Sequence, residues 1–135
     1  MPRSGLSPRT LGTEPNTVRV DIAGLEDGDV RHFRFERDAE RLGAFVVRHE
    51  GECRVYVNRC PHVTYSLDFG DGNVQDPTRR FLQCYSHGAM FLPESGECFM
   101  GPVVGRRLEA LPALQQGDEL VVTISPEPDG WPQTA

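Results

Sequence analysis

The sequence predicts an all-β domain, and three observations carry that expectation. Apolar and polar residues alternate over short runs, pairs of turn-forming residues separate those runs, and no segment sustains a helical period. Val18, Val20 and Ile22 alternate with Arg19 and Asp21, so one face of the first run is apolar. Phe33 and Phe35 alternate with His32, Arg34 and Glu36 in the second. Cys53, Val55 and Val57 share a face in the third, and Leu120, Val122 and Ile124 do so near the end. Turns are expected at Gly28-Asp29, Glu50-Gly51, Gly72-Asn73, Glu94-Ser95-Gly96 and Gly117-Asp118. A helical option around Asp38 to Leu42 is too short to define the fold.

The ends read differently. Residues 1–16, rich in Pro, Ser, Gly and Thr, are expected to form a flexible leader. Residues 126–135, opening Pro126-Glu127-Pro128, read as a Pro-rich tail whose Trp131 packs back onto the domain or marks a contact. Between them, residues 17–125 form one domain, as a chain of 135 residues implies.

Composition excludes several classes. Hydrophobic content of 38% and charged content of 25% fit a soluble globular protein. No apolar run approaches the ~20 residues of a membrane helix, and residues 1–16 lack the apolar stretch of a secretory signal, so the cytoplasm is the default compartment. A net charge of −6 argues against nucleic acid and suits a basic patch on a protein partner.

The chemistry concentrates in two short pairs. Cys60-Pro61-His62 is followed, after 21 residues, by Cys84-Tyr85-Ser86-His87. Thiolates are soft and anionic and suit sulfide-bridged iron, whereas neutral imidazoles donate without adding charge. The spacing lets each loop give one ligand to each of two irons. Pro61 stiffens the first loop, and Gly88 permits a tight backbone path in the second. Two Cys and two His also make a tetrahedral zinc set. Zinc fingers, however, pair like with like locally, and here each pair is mixed.

The second pair continues as Gly88-Ala89-Met90-Phe91, then Gly96-Glu97-Cys98 and Gly101-Pro102-Val103. With the two Cys/His pairs, this pattern resembles the Rieske proteins over about residues 17–125. The resemblance implies one 2Fe–2S cluster, with Cys60 and Cys84 on one iron and His62 and His87 on the other. It implies small antiparallel sheets, a sandwich- or barrel-like base with the cluster loops at one tip, and Gly101-Pro102-Val103 as a loop lying over the cluster. The His ligands would lie at the surface and the Cys ligands deeper. With two thiolates rather than four, the oxidised centre is formally neutral. It therefore accepts an electron more readily, at about −150 to +300 mV.

Departures from the family pattern refine this. Respiratory members carry a disulfide where this chain has Tyr65 and Ser86. They also carry hydroxyl donors to the cluster sulfurs where it has Ala89 and Phe91. Without those donors the reduced state is less stabilised, and the potential is expected in the lower part of the range. Val63-Thr64 replaces a common Arg-Gly or Leu-Gly, and extra length between the pairs falls at residues 68–73 and 76–78, which read as turns.

The remaining Cys and His residues carry no assigned role. Cys53 and Cys98 read as small buried hydrophobes, and a disulfide between them is disfavoured in a reducing compartment. His32 is expected on an exposed strand face, and His49 at a strand end. The resemblance implies a ferredoxin-like carrier passing one electron between a reductase and a terminal oxygenase or reductase, without catalysis of its own. An oxygenase would need a further iron domain, and the sequence shows no His after His87. A small oxidoreductase subunit resembling those of nitrite reductases, or a zinc- or cluster-holding binding or sensor module, stays open.

Overall fold

The computed structural model describes residues 16–61, 66–68, 72–84, 88–102 and 104–128. Among the described residues, ten strands make three antiparallel sheets. The first sheet is ordered β1 (Asn16–Asp21), β10 (Glu119–Ile124), β9 (Ala113–Gln116). The second is β2 (Val30–Arg37), β3 (Glu40–His49), β4 (Glu52–Val57), β8 (Ala110–Leu111), and the third is β5 (Leu82–Gln83), β6 (Met90–Phe91), β7 (Cys98–Met100). No helix among the described residues is long and apolar enough to cross a membrane.

The second sheet is the middle layer, and strand alternation explains why. On β3 and β4, Ala44, Val46, Val55 and Val57 face one core, while Phe45, Val47 and Tyr56 face another. The first core lies against the first sheet and gathers Val20, Ile22, Phe35, Leu120, Val122 and Ile124, as the alternation predicts. The second core lies against the third sheet and contains Leu67, Leu82, Phe91, Leu108, Cys60 and Cys84. Two-sided burial of the central strands explains their near-continuous apolar run from Ala44 to Val47.

The helical option at Asp38–Leu42 is overturned. Arg37 pairs with Glu40 across a two-residue hairpin loop. Its central residues, Asp38 and Ala39, have φ of 53° and 65°. Positive φ at both central positions is the mark of a type I′ turn, whose twist matches that of paired strands. Glu50-Gly51 closes the β3–β4 hairpin in the same way, with φ of 51° and 83°. Residues 1–15 and 129–135, which include most of the expected leader, most of the expected tail and Trp131, lie outside the described residues.

Candidate iron–sulfur centre

The loop that carries the first Cys/His pair leaves the end of β4. Asn58 N–H donates to the Gly43 carbonyl at 2.9 Å, and Cys60 follows, 2% exposed in the second core. Asn58 also grips the far end of the loop. Its Oδ1 accepts from Leu67 N–H at 2.8 Å, and its Nδ2 donates to Asp68 Oδ1 at 3.4 Å. Asp68 in turn accepts from Gly72 N–H at 2.9 Å. One side chain thereby closes both ends of residues 59–66 onto the middle sheet.

The second loop links β5 to β6. Cys84 N–H donates to the Ala89 carbonyl at 2.8 Å, and Gly88 N–H donates back to the Cys84 carbonyl at 2.9 Å. Gly88 closes this ring with φ of 72°, a conformation that costs an L-residue far more than glycine. Cys84 is 1% exposed.

A third loop rests on the second. Gly101 has φ of 107°, and a Cβ there would meet the Ala89 Cα at 2.7 Å. Only glycine allows that approach. Gly101-Pro102 therefore lies directly against the loop that carries Cys84.

Both thiols expected as ligands are thus buried in one core, held by closed loops. His62 and His87, the imidazole half of the set, lie outside the described residues, as do Tyr65, Ser86 and Val103. Cys98 is buried in β7 with its thiol donating to the Met100 carbonyl at 3.2 Å. Cys53 carries a free thiol against the first core, where burial raises its pKa. Because Cys53 and Cys98 belong to different cores, no bridge joins them. His32 is exposed and contacts the Gly72 carbonyl through Nε2 at 2.8 Å; His49 sits 3.5 Å from Glu94.

A buried ionic group beside the first loop escaped the sequence reading. Arg37 and Glu109 form a two-pronged pair, Nη1 to Oε2 at 2.6 Å and Nη2 to Oε1 at 3.2 Å. Arg59, immediately before Cys60, reaches Glu109 at 3.3 Å and Glu127 at 3.0 Å. Arg37 also donates to the Ser125 carbonyl at 3.1 Å. Donating these hydrogen bonds to Glu109 raises the Arg37 pKa above its usual value. The group thus ties the start of the Cys60 loop to the end of β2, the approach to β8 and the chain after β10. A signal existed in the sequence: Arg37 shares the strand parity of Phe33 and Phe35, which turns it inward.

Tyr56 anchors the second core. Its hydroxyl donates to the Pro93 carbonyl at 2.6 Å, and burial pushes its pKa up to about 12. A Cβ on Gly96 would meet its ring at 2.8 Å, so glycine is required at the β6–β7 turn too.

Two thiols buried in one core suit soft anionic ligation of iron. The model of the Rieske [2Fe-2S] domain matches residues 19–116. The chain belongs to the Rieske [2Fe–2S] family, and one 2Fe–2S cluster is the group such a domain carries. Single-electron transfer is the chemistry that defines this class. The fold is similar to that of the ferredoxin of carbazole 1,9a-dioxygenase from Nocardioides aromaticivorans IC177 (23% identity, TM-score 0.59), covering 82% of this chain and 98% of that one. A chain from the complex of reduced oxygenase and oxidized ferredoxin in carbazole 1,9a-dioxygenase is similar at 20% identity and TM-score 0.61, covering 84% of this chain and 97% of that one. The terminal oxygenase of carbazole 1,9a-dioxygenase from Novosphingobium sp. KA1 matches at 14% identity and TM-score 0.64, over 88% of this chain but 35% of its own. No curated protein sequence matches.

Proposed function

We propose that this chain is a ferredoxin-type carrier of one electron, with Cys60, His62, Cys84 and His87 as ligands of its cluster. The extent of the likeness supports this reading. The match runs over 98% of the Nocardioides ferredoxin but only 35% of the terminal oxygenase. When bound, a 2Fe–2S cluster supplies one reversible one-electron step.

The chain's own residues set the conditions of that step. Cys60 and Cys84 offer thiolates from a dry core, while His62 and His87 offer neutral imidazoles. Ala89 and Phe91 are buried and bring no hydroxyl to the second loop, which leaves the reduced state without those donors and the potential low. Gly101 lets its loop cover Ala89 and shield the second thiol from water. The electron donor would be a reductase and the acceptor a terminal oxygenase or reductase, meeting the carrier in the cytoplasm. Neither nucleic acid nor a membrane span has a part in this reading.

An anaerobic redox titration followed by electron paramagnetic resonance tests it. A reversible one-electron step with a Rieske-type reduced signal, centred in the lower part of the range of about −150 to +300 mV, is expected. A protein with no reversible step would remove the carrier reading, and a strongly positive midpoint would remove the argument from Ala89 and Phe91.

A further inference from the structure

The chain after β10 is fastened to the domain by an ionic contact. Ile124, opposite Asn16, is the last residue of β10 paired with β1. Pro126 and Pro128 follow and bring no backbone N–H to a ladder. The hold lies at the buried ionic group beside the Cys60 loop. Arg37 donates to the Ser125 carbonyl at 3.1 Å, and Glu127 lies 3.0 Å from Arg59 and 3.5 Å from Arg37. Glu127 is the outermost member, its side chain 40% exposed against 11% for Arg59 and 2% for Glu109.

The four side chains alternate in sign. Glu109 accepts from both arginines and Glu127 meets both, so two positive charges face two negative ones. Asp38, exposed at the hairpin turn, adds a further attraction on Arg37. The balance matters because of where Arg59 stands. It immediately precedes Cys60, whose side chain is buried in the second core. Salt screens a buried charge far less than an exposed one. A charge left unbalanced at Arg59 is therefore felt at the adjoining thiol.

We propose that Glu127 is a positioning residue that acts on the centre through Arg59. It holds the guanidinium in place, balances its charge beside Cys60 and so keeps the reduction potential low. The proposal rests on the carrier reading and extends it to a carboxylate 68 residues from Arg59. Reduction adds one negative charge to the centre. A cation beside Cys60 favours that step, and an anion opposes it. Glu109 and Glu127 thus lower the potential, and Arg59 raises it. The low potential then has a second cause besides the missing hydroxyls at Ala89 and Phe91.

Redox titrations of the loaded protein and a set of charge variants test this. Glu127→Gln keeps the shape of the side chain and removes one negative charge. Its midpoint rises, and at a fixed applied potential the ratio of reduced to oxidised protein grows several-fold. Arg59→Gln lowers the midpoint, whereas Arg59→Lys, which keeps the charge, lowers it less. The double variant Arg59→Gln, Glu127→Gln returns towards the parent. Glu119→Gln makes the same charge change as Glu127→Gln at the exposed far end of β10 and leaves the midpoint in place. Opposite shifts that cancel in the double variant are not what a merely structural role produces, since lost packing would move all variants one way.

A midpoint that Glu127→Gln leaves unchanged or lowers overturns the proposal. So does an equal rise in Glu119→Gln, or an Arg59→Lys midpoint as low as that of Arg59→Gln. If Arg59→Gln does not take up iron, Glu127→Gln at the exposed rim decides alone. A parent protein with no reversible step defeats the carrier reading and this proposal with it. A reversible step that the variants do not move defeats this proposal alone.

Discussion

The two cores on either side of the middle sheet are built by different means. The first is a sandwich of strands up to ten residues long, joined by regular ladders and filled by alternating aliphatic side chains. The second shares the middle sheet, but its far side is formed by strands of only two or three residues. Its shape comes from individual polar groups: Asn58 on Leu67 and Asp68, Asp76 on Thr78 and Phe81, and the Tyr56 hydroxyl on Pro93. Repeating hydrophobic pattern makes the rigid base, and side-chain-to-backbone bonds hold irregular loops on it. A ligand set needs that combination, because loops can place donors where strands cannot, yet must be locked to keep them there.

Removing the link between the regions has the largest expected effect. Glu109 is 4% exposed and faces two arginines, so Glu109→Ala strands buried cations and should cost about 3–5 kcal/mol in chemical denaturation. A cost below about 1 kcal/mol would show that base and tip do not depend on this group.

A glycine pair sharpens the contrast at the tip. Gly101 and Gly105 both have positive φ, 107° and 93°, but only Gly101 faces a neighbour within 4 Å. Gly101→Ala should therefore exceed Gly105→Ala by about 1–3 kcal/mol and hasten bleaching of the loaded protein. Equal costs would mean that the close approach to Ala89 is not what holds the third loop. Asn58→Ala comes next. Leaving Leu67 N–H without its acceptor should cost about 1–3 kcal/mol, with faster hydrogen exchange at Leu67, and unchanged exchange there would contradict the clamp.

The smallest effect is on acid stability. Burial pushes the Asp76 carboxyl up, but hydrogen bonds from Thr78, Phe81 and Arg80 outweigh it and hold the pKa below the ordinary 3.8. A depressed carboxyl stabilises the fold above its unfolded pKa and loses that contribution as pH falls through the folded value. The stability gap between the protein and Asp76→Asn should thus be full at neutral pH and narrow on acidification below 3.8. A gap independent of pH would place the effect of Asp76 in packing rather than charge. Asp29 acts in the same sense at the surface, held low by Glu26 N–H and Arg79.

The same contrast sets what could be read in advance. The base was legible because period-two alternation maps directly onto buried faces, from Val18 to Ile22 and from Leu120 to Ile124. The hairpin at Asp38-Ala39 was not, because two non-glycine residues at positive φ follow from strand twist and pairing rather than local preference. At the tip, the Cys/His spacing pointed to Cys60 and Cys84, whose burial is consistent with it. Asn58 and Asp68 were illegible, since their partners are backbone groups that only the folded loop brings near. Glu109 lies 72 residues from Arg37, and no local pattern connects them.

Metal analysis of anaerobically purified protein beside its Cys60→Ser and Cys84→Ser variants tests the central claim most directly. The account predicts iron and acid-labile sulfide in equal amounts, one 2Fe–2S cluster per chain, and loss of both in each variant while the first core stays folded. Stoichiometric zinc in a colourless protein, or full retention of iron in either variant, would contradict it.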